Sequence, residues 1–170
     1  MRKQSITIAS ILFAFVANTI AACATGTPQH PLDLLRQIKI ESQTKLNLGA
    51  KLPDGSDFCI WRGRTCTLKL GSFGGAQMMF LNVDQSGLIE QFHFYYGLVD
   101  SDRVHEQVGE FTTLLGKPAV DSTVKLGAYE IREVGWDDGI TSYDLLFKTD
   151  GANIEESSVL SDNKLARRAH

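Results

Sequence analysis

Residues 75–96, GAQMMFLNVDQSGLIEQFHFYY, constrain the fold more than any other stretch of the chain. Two apolar, aromatic-rich runs flank Asp84-Gln85-Ser86-Gly87, the pattern of two strands joined by a tight turn. A four-residue loop would pair Val83 with Leu88, and a three-residue loop with a glycine bulge would pair Asp84 with Leu88. Either register puts Phe92 and Phe94 on one face and His93 and Tyr95 on the other. The Phe face is the expected core. The second face carries Ile89, Gln91, His93 and Tyr95, joined by Met78 and Phe80 or by Met79 and Leu81. Such a mixture of apolar and hydrogen-bonding groups is either covered by a helix or open to a ligand.

The first residues read as a targeting signal rather than as part of the fold. Arg2 and Lys3 precede an apolar stretch over residues 6–20, too short and too early to favour a spanning helix. Two cleavage readings compete. Ala22-Cys23-Ala24 suits ordinary signal peptidase, whereas Ile20-Ala21-Ala22-Cys23 resembles the bacterial lipobox. The lipobox resemblance implies a signal peptide over residues 1–22, acyl chains on Cys23 and a membrane partner reached through them. Ala24 after the cysteine resembles the pattern of enterobacterial outer-membrane lipoproteins. A soluble periplasmic protein is the alternative. Residues 23–30 then form a polar tether, with His30 solvated. With Cys23 assigned to lipid, Cys59 and Cys66 remain, and in an oxidising compartment they are expected to pair. Removing residues 1–22 deletes two of the 17 basic residues and none of the 20 acidic ones, which takes the formal charge from −3 to −5. Nothing in that balance points to nucleic acid.

Residues 31–148 are expected to form a single domain. Residues 31–44 suggest a short amphipathic helix starting at Pro31, although Ile38-Lys39-Ile40 could equally begin a strand. Residues 46–52 suggest a short strand. Residues 58–70, FCIWRGRTCTLKL, suggest a hairpin with its tip at Arg62-Gly63-Arg64 and the cysteines closing its base. Residues 101–115 give the strongest helical pattern: Ser101 as cap, an apolar stripe of Val104, Val108, Phe111, Leu114 and Leu115, then Gly116 and Pro118 as stops. A second hairpin follows over residues 128–148, turning at Trp136-Asp137-Asp138-Gly139, with Tyr129 and Ile131 on one side. Residues 149–170 are polar with no clear period and are expected to be a disordered tail. The fold class is thus α+β: an antiparallel sheet of hairpins, with a main amphipathic helix packed on one face as a second layer.

The sequence carries little recognisable chemistry. No phosphate loop, dinucleotide fingerprint, zinc-protease motif or nucleophile elbow is present. Gly71 to Gly75 is a flexible joint, and Asp137-Asp138 lacks calcium-loop spacing. No cofactor and no metal site is expected, and no catalytic residue is assigned. His93 is the one histidine bracketed by aromatics. A hydrolase using it would need an acid and a nucleophile that the sequence does not point to. The exposed feature of most interest is the hairpin tip with Trp61, Arg62 and Arg64, since Trp and Arg are favoured at binding hot spots. In layout the chain resembles small bacterial envelope lipoproteins: lipobox, short helix, cysteine-braced hairpin, and a helix ending in Leu115-Gly116-Lys117-Pro118 before a final hairpin. The expected function is a non-enzymatic module that binds an envelope protein or polymer, such as an assembly subunit, an inhibitor or an immunity-type protein. Its surface would be either the tip or the face of His93 and Tyr95. A small hydrolase and a small-ligand carrier with an aromatic pocket stay open.

Overall fold

The computed structural model describes residues 30–40, 45–53, 59–68 and 75–167. The signal peptide, Cys23 and nearly all of the tether lie outside them. Among the described residues no helix is long and apolar enough to cross a membrane.

The chain opens with a short helix, α1 (Pro31–Leu35), started by Pro31 and capped by His30, whose Nδ1 accepts from the Leu32 amide. Its expected continuation is instead strand β1 (Gln37–Lys39), which pairs with β2 (Lys45–Asn47) as a two-stranded ribbon. Ile38 and Ile40 are β-branched and favour the extended backbone. Eight further strands form one antiparallel sheet. They are β3 (Cys59–Arg62), β4 (Thr65–Leu68), β5 (Met78–Val83), β6 (Ile89–Val99), β7 (Val120–Leu126), β8 (Tyr129–Asp137), β9 (Thr141–Thr149) and β10 (Ile154–Asp162). Helix α2 (Ser101–Leu115) connects β6 to β7, and a last helical turn, α3 (Asn163–Ala166), follows β10.

The order across the sheet is β3-β4-β5-β6-β10-β9-β8-β7. Each half is a meander running from an outer edge inwards, and the last strands of the two halves, β6 and β10, meet along the middle. The β5–β6 turn takes the three-residue register. The Asp84 amide donates to the Leu88 carbonyl at 2.9 Å, Val83 lies opposite Ile89, and Gly87 adopts φ +78°. Cys59 and Cys66 are disulfide-bonded as expected, with Cα atoms 5.3 Å apart. They lie diagonally, since Cys59 faces Leu68 and Cys66 faces Trp61.

The expected α+β architecture with a main helix as second layer is corrected. The chain is mostly β, one continuous sheet dominates it, and its helices are short. Helix α2 covers a portion of one face, capped by Asp100 rather than Ser101, with Val104 and Gln107 buried. Phe111 stacks 4.6 Å from the Tyr143 ring, and Trp136 Nε1 donates to the Gly116 carbonyl at the helix end. The ribbon covers another portion of that face, burying Leu32, Ile38, Ile40, Leu46 and Leu48. Arg36 fastens it: Nη1 donates to Thr141 Oγ1 and Nη2 to Asp162 Oδ2, both at 2.6 Å. The covered face presents Leu81, Phe92, Leu160, Tyr143 and Trp136 in register across five strands. The Phe face is therefore the core.

The expected disordered tail is also corrected. β10 pairs along its length with β6 on one side and β9 on the other. Its composition conceals it because most of its inward positions are polar. Glu156 and Ser158 point into the covered face alongside Leu160, so the apolar alternation that marks a strand is missing. Strand β7 is concealed for the opposite reason: all its residues are exposed. A chain stopped after Asn153 should therefore fail to fold, because losing a central strand removes more than the roughly 5–15 kcal/mol that holds a typical domain. A cooperative thermal transition in that truncation would contradict the placement of β10.

Candidate functional site

Among the described residues, no helix lies over the face opposite the core. Cross-strand partners share a face, so the register assigns it Ile60, Thr67 and Phe80, then Arg62, Thr65, Asn82 and Gln91, then Met78, Tyr95 and Ser157. A polar ladder crosses four strands here. Thr65 Oγ1 donates to Asn82 Oδ1 at 2.7 Å, and Asn82 Nδ2 donates to Gln91 Oε1 at 3.2 Å. His93 Nε2 lies 3.2 Å from both amide side chains, and Gln91 Nε2 donates to Ser161 Oγ at 3.1 Å. Nε2 thus meets both an amide donor and an amide acceptor, which serves either neutral tautomer. Burial pushes the His93 pKa below its ordinary value, so the ladder is uncharged at neutral pH.

Beside the ladder lies a cleft of about 350 Å³, open to solvent, lined among others by Phe80, Asn82, His93, Tyr95, Leu146 and Val159. Its walls come from both halves of the sheet, since Leu146 lies on β9 and Val159 on β10. Further along the same face Asp144 is pushed up to about 6, by burial first and then by Glu133 and Asp137. Among the described residues no cluster of histidine, cysteine or carboxylate groups could hold a metal ion.

The two surfaces expected from sequence partly merge. Arg62 lies opposite Thr65, the first rung of the ladder, so the hairpin tip adjoins the His93 face. Arg62 and Arg64 are exposed. Trp61 is 44% exposed but belongs to the opposite face, in register with Cys66. It does not join His93 and Tyr95. Sequence reasoning missed Thr65, Asn82, Ser161, Leu146 and Val159. Asn82 and Gln91 were visible as polar positions, but neither expected register sets them opposite each other; the shift between Asn82 and Val83 does. Val159 and Ser161 were not legible, because their strand has the composition of a tail.

A second polar cluster lies on the covered face beneath α2. Glu156 is 1% exposed and Tyr143 is buried beside Tyr96, whose hydroxyl lies 3.5 Å from Ser158 Oγ. Burial raises both phenols, Tyr143 well above its ordinary value. Glu156 is pushed from 4.5 to about 7 by burial, against the opposing pull of Arg103 and a hydrogen bond with Gln107. Arg103 Nη2, Gln107 Oε1 and Glu156 Oε1 are buried without hydrogen-bond partners. One carboxylate oxygen is thus poorly compensated, and desolvation wins.

No protein-family model matches this chain, and no curated protein matches it. One solved structure shows a limited likeness: a DUF4309 family protein (YjgB) from Bacillus subtilis subsp. subtilis str. 168, at 13% identity. The likeness covers 67% of this chain and 71% of that one, with a TM-score of 0.34.

The Glu156 cluster gives a pH dependence of known sign. Between about pH 4.5 and 7 the folded chain keeps a proton that the unfolded chain has released, so stability rises as pH falls through that window. Glu156→Gln should be the more stable form at pH 8, by roughly 2 kcal/mol or about 5 °C in melting temperature. The difference should close towards pH 4.5. A variant no more stable than wild type at pH 8 would contradict it.

Proposed function

We propose that this chain is a non-enzymatic binding module of the bacterial cell envelope, held to the membrane by lipid on Cys23. Its open sheet face, from Arg62 through the ladder to His93 and Tyr95, takes an envelope protein or polymer. The observation that carries this reading is the ladder itself. His93 is bonded to two amides rather than to a carboxylate, and its pKa is lowered, so it is arranged to recognise hydrogen-bonding groups rather than to shuttle a proton. Phe80 and Tyr95 on adjacent strands supply apolar area next to it. The cleft favours a macromolecular partner over a carried small molecule. Carriers bury most of their ligand's surface in an enclosing pocket, whereas this cleft of about 350 Å³ is open on one side and would leave much of a small ligand in solvent. The lipobox-like Ile20-Ala21-Ala22-Cys23 and the oxidised Cys59–Cys66 pair support the envelope.

Two experiments test the reading. His93→Ala combined with Tyr95→Ala should reduce crosslinked capture of a partner from envelope extracts roughly tenfold or more, with the melting temperature shifted little. Undiminished capture would remove the face from the account. Radiolabelled palmitate should mark the wild-type chain and not Cys23→Ser, and equal labelling of both would refute the anchor.

A further inference from the structure

We infer that β7 is a self-recognition edge, through which two copies of this chain join their sheets around a two-fold axis. β7 is the outermost strand of its half, pairs among the described residues with β8 alone, and is exposed at every one of its 7 residues. The opposite edge, β3, has only 4 residues and is braced by the disulfide. A long uncovered edge presents a row of backbone donors and acceptors that pairs readily with another strand.

The register shows which groups face outwards. Leu126 and Tyr129 close the two-residue turn at Gly127-Ala128, so they form the hydrogen-bonded pair of that hairpin. Alternation then turns the backbone groups of Leu126, Val124, Ser122 and Val120 towards β8, and those of Asp121, Thr123 and Lys125 away from it. A second β7 laid antiparallel with Thr123 at the two-fold pairs each Asp121 with the partner's Lys125. It pairs each Val120 with the partner's Leu126, and Thr123 with itself. Opposite charges meet twice, and apolar side chains meet twice on the other face. Parallel pairing would set Asp121 on Asp121 and Lys125 on Lys125. A shift by one pair of residues would leave both charges without their opposite. The charge pattern of VDSTVKL therefore selects one geometry and one occupant, a second copy of this chain.

Asp121 is also held by Arg132 of its own chain through two bonds of 3.0 Å, which keeps its carboxylate ionised and fixed in position. The contact is isologous and closes on itself, so it yields a dimer rather than a fibre. Because the two-fold axis stands perpendicular to the joined sheet, both open faces lie on the same side. Val120, Val124, Leu126 and Tyr129, among the exposed large apolar residues, lie on that side, where the two copies meet.

The test uses the full-length chain in its native envelope. Thr123→Cys sits on the two-fold axis, where paired Cα atoms are about 5.5 Å apart, within disulfide reach. It should give a disulfide-linked band of twice the chain mass on non-reducing gels, in large excess over Lys39→Cys, an exposed control on the ribbon. Adding Lys125→Asp should reduce that band at least tenfold. Adding Asp121→Lys as well should restore it, although the repulsion between Lys at 121 and Arg132 within each copy remains. A Thr123→Cys band no stronger than the control, a band at another mass, or indifference to the charge changes would overturn self-pairing. Failed restoration with intact thermal unfolding would overturn the register.

Discussion

Everything in this structure hangs on the pairing of β6 with β10. Each is the last strand of its own meander, and among the described strands the two halves of the sheet are hydrogen-bonded to each other along this seam. The seam runs from Ile154 opposite Val99 to Ser161 opposite Gln91, with a register shift at Glu156–Ser157 that leaves Tyr96 as the extra residue between Gly97 and Tyr95. Closing it requires strands about sixty residues apart, and loop closure of that kind must precede the contacts that reward it. The sheet is therefore completed only when the end of the chain arrives. The Arg36 bonds to Thr141 and Asp162 then fix the N-terminal ribbon over the end of the same seam.

Both polar clusters straddle this line, one on each face. On the open face Gln91 reaches across it to Ser161, so the recognition ladder is continuous only when the halves are joined. On the covered face Tyr96 of β6 meets Ser158 of β10, with Glu156 beside them under α2. The two differ in how they are satisfied. The open ladder is neutral and bonded throughout, with solvent on one side. The covered cluster leaves three polar atoms without partners and raises a carboxyl to about 7. Exposed polar groups are inexpensive to keep and available to a ligand. Buried ones are costly, and at Glu156 the cost takes the form of proton uptake.

The elements legible in sequence were those where burial follows apolar alternation. The β5–β6 hairpin, α2 with its Gly116 stop, and the return strand β9 write most of their inward face in apolar or aromatic residues, and the braced hairpin was marked by its two cysteines. Where inward positions are polar, as at Glu156 and Ser158, or where a strand has no buried residue, as in β7, periodicity carries no information, and these strands turn an α+β expectation into a mostly β fold. His93 and Tyr95 were legible as a face because period-two alternation is local. Their neighbours Val159 and Ser161 were not, because what brings them there is the long-range seam. Trp61 illustrates the same limit: its place on the opposite side from Arg62 follows from strand parity, which the sequence suggested only once the tip was located.

The most direct measurement of the seam is backbone amide hydrogen exchange on the folded protein. The account predicts that amides of β10 from Ser157 to Leu160 exchange as slowly as those of Phe92 and Phe94, through global unfolding alone. Exchange of that segment at the rate of a solvent-exposed chain, with β6 still protected, would contradict it and return residues 154–162 to the status of a tail.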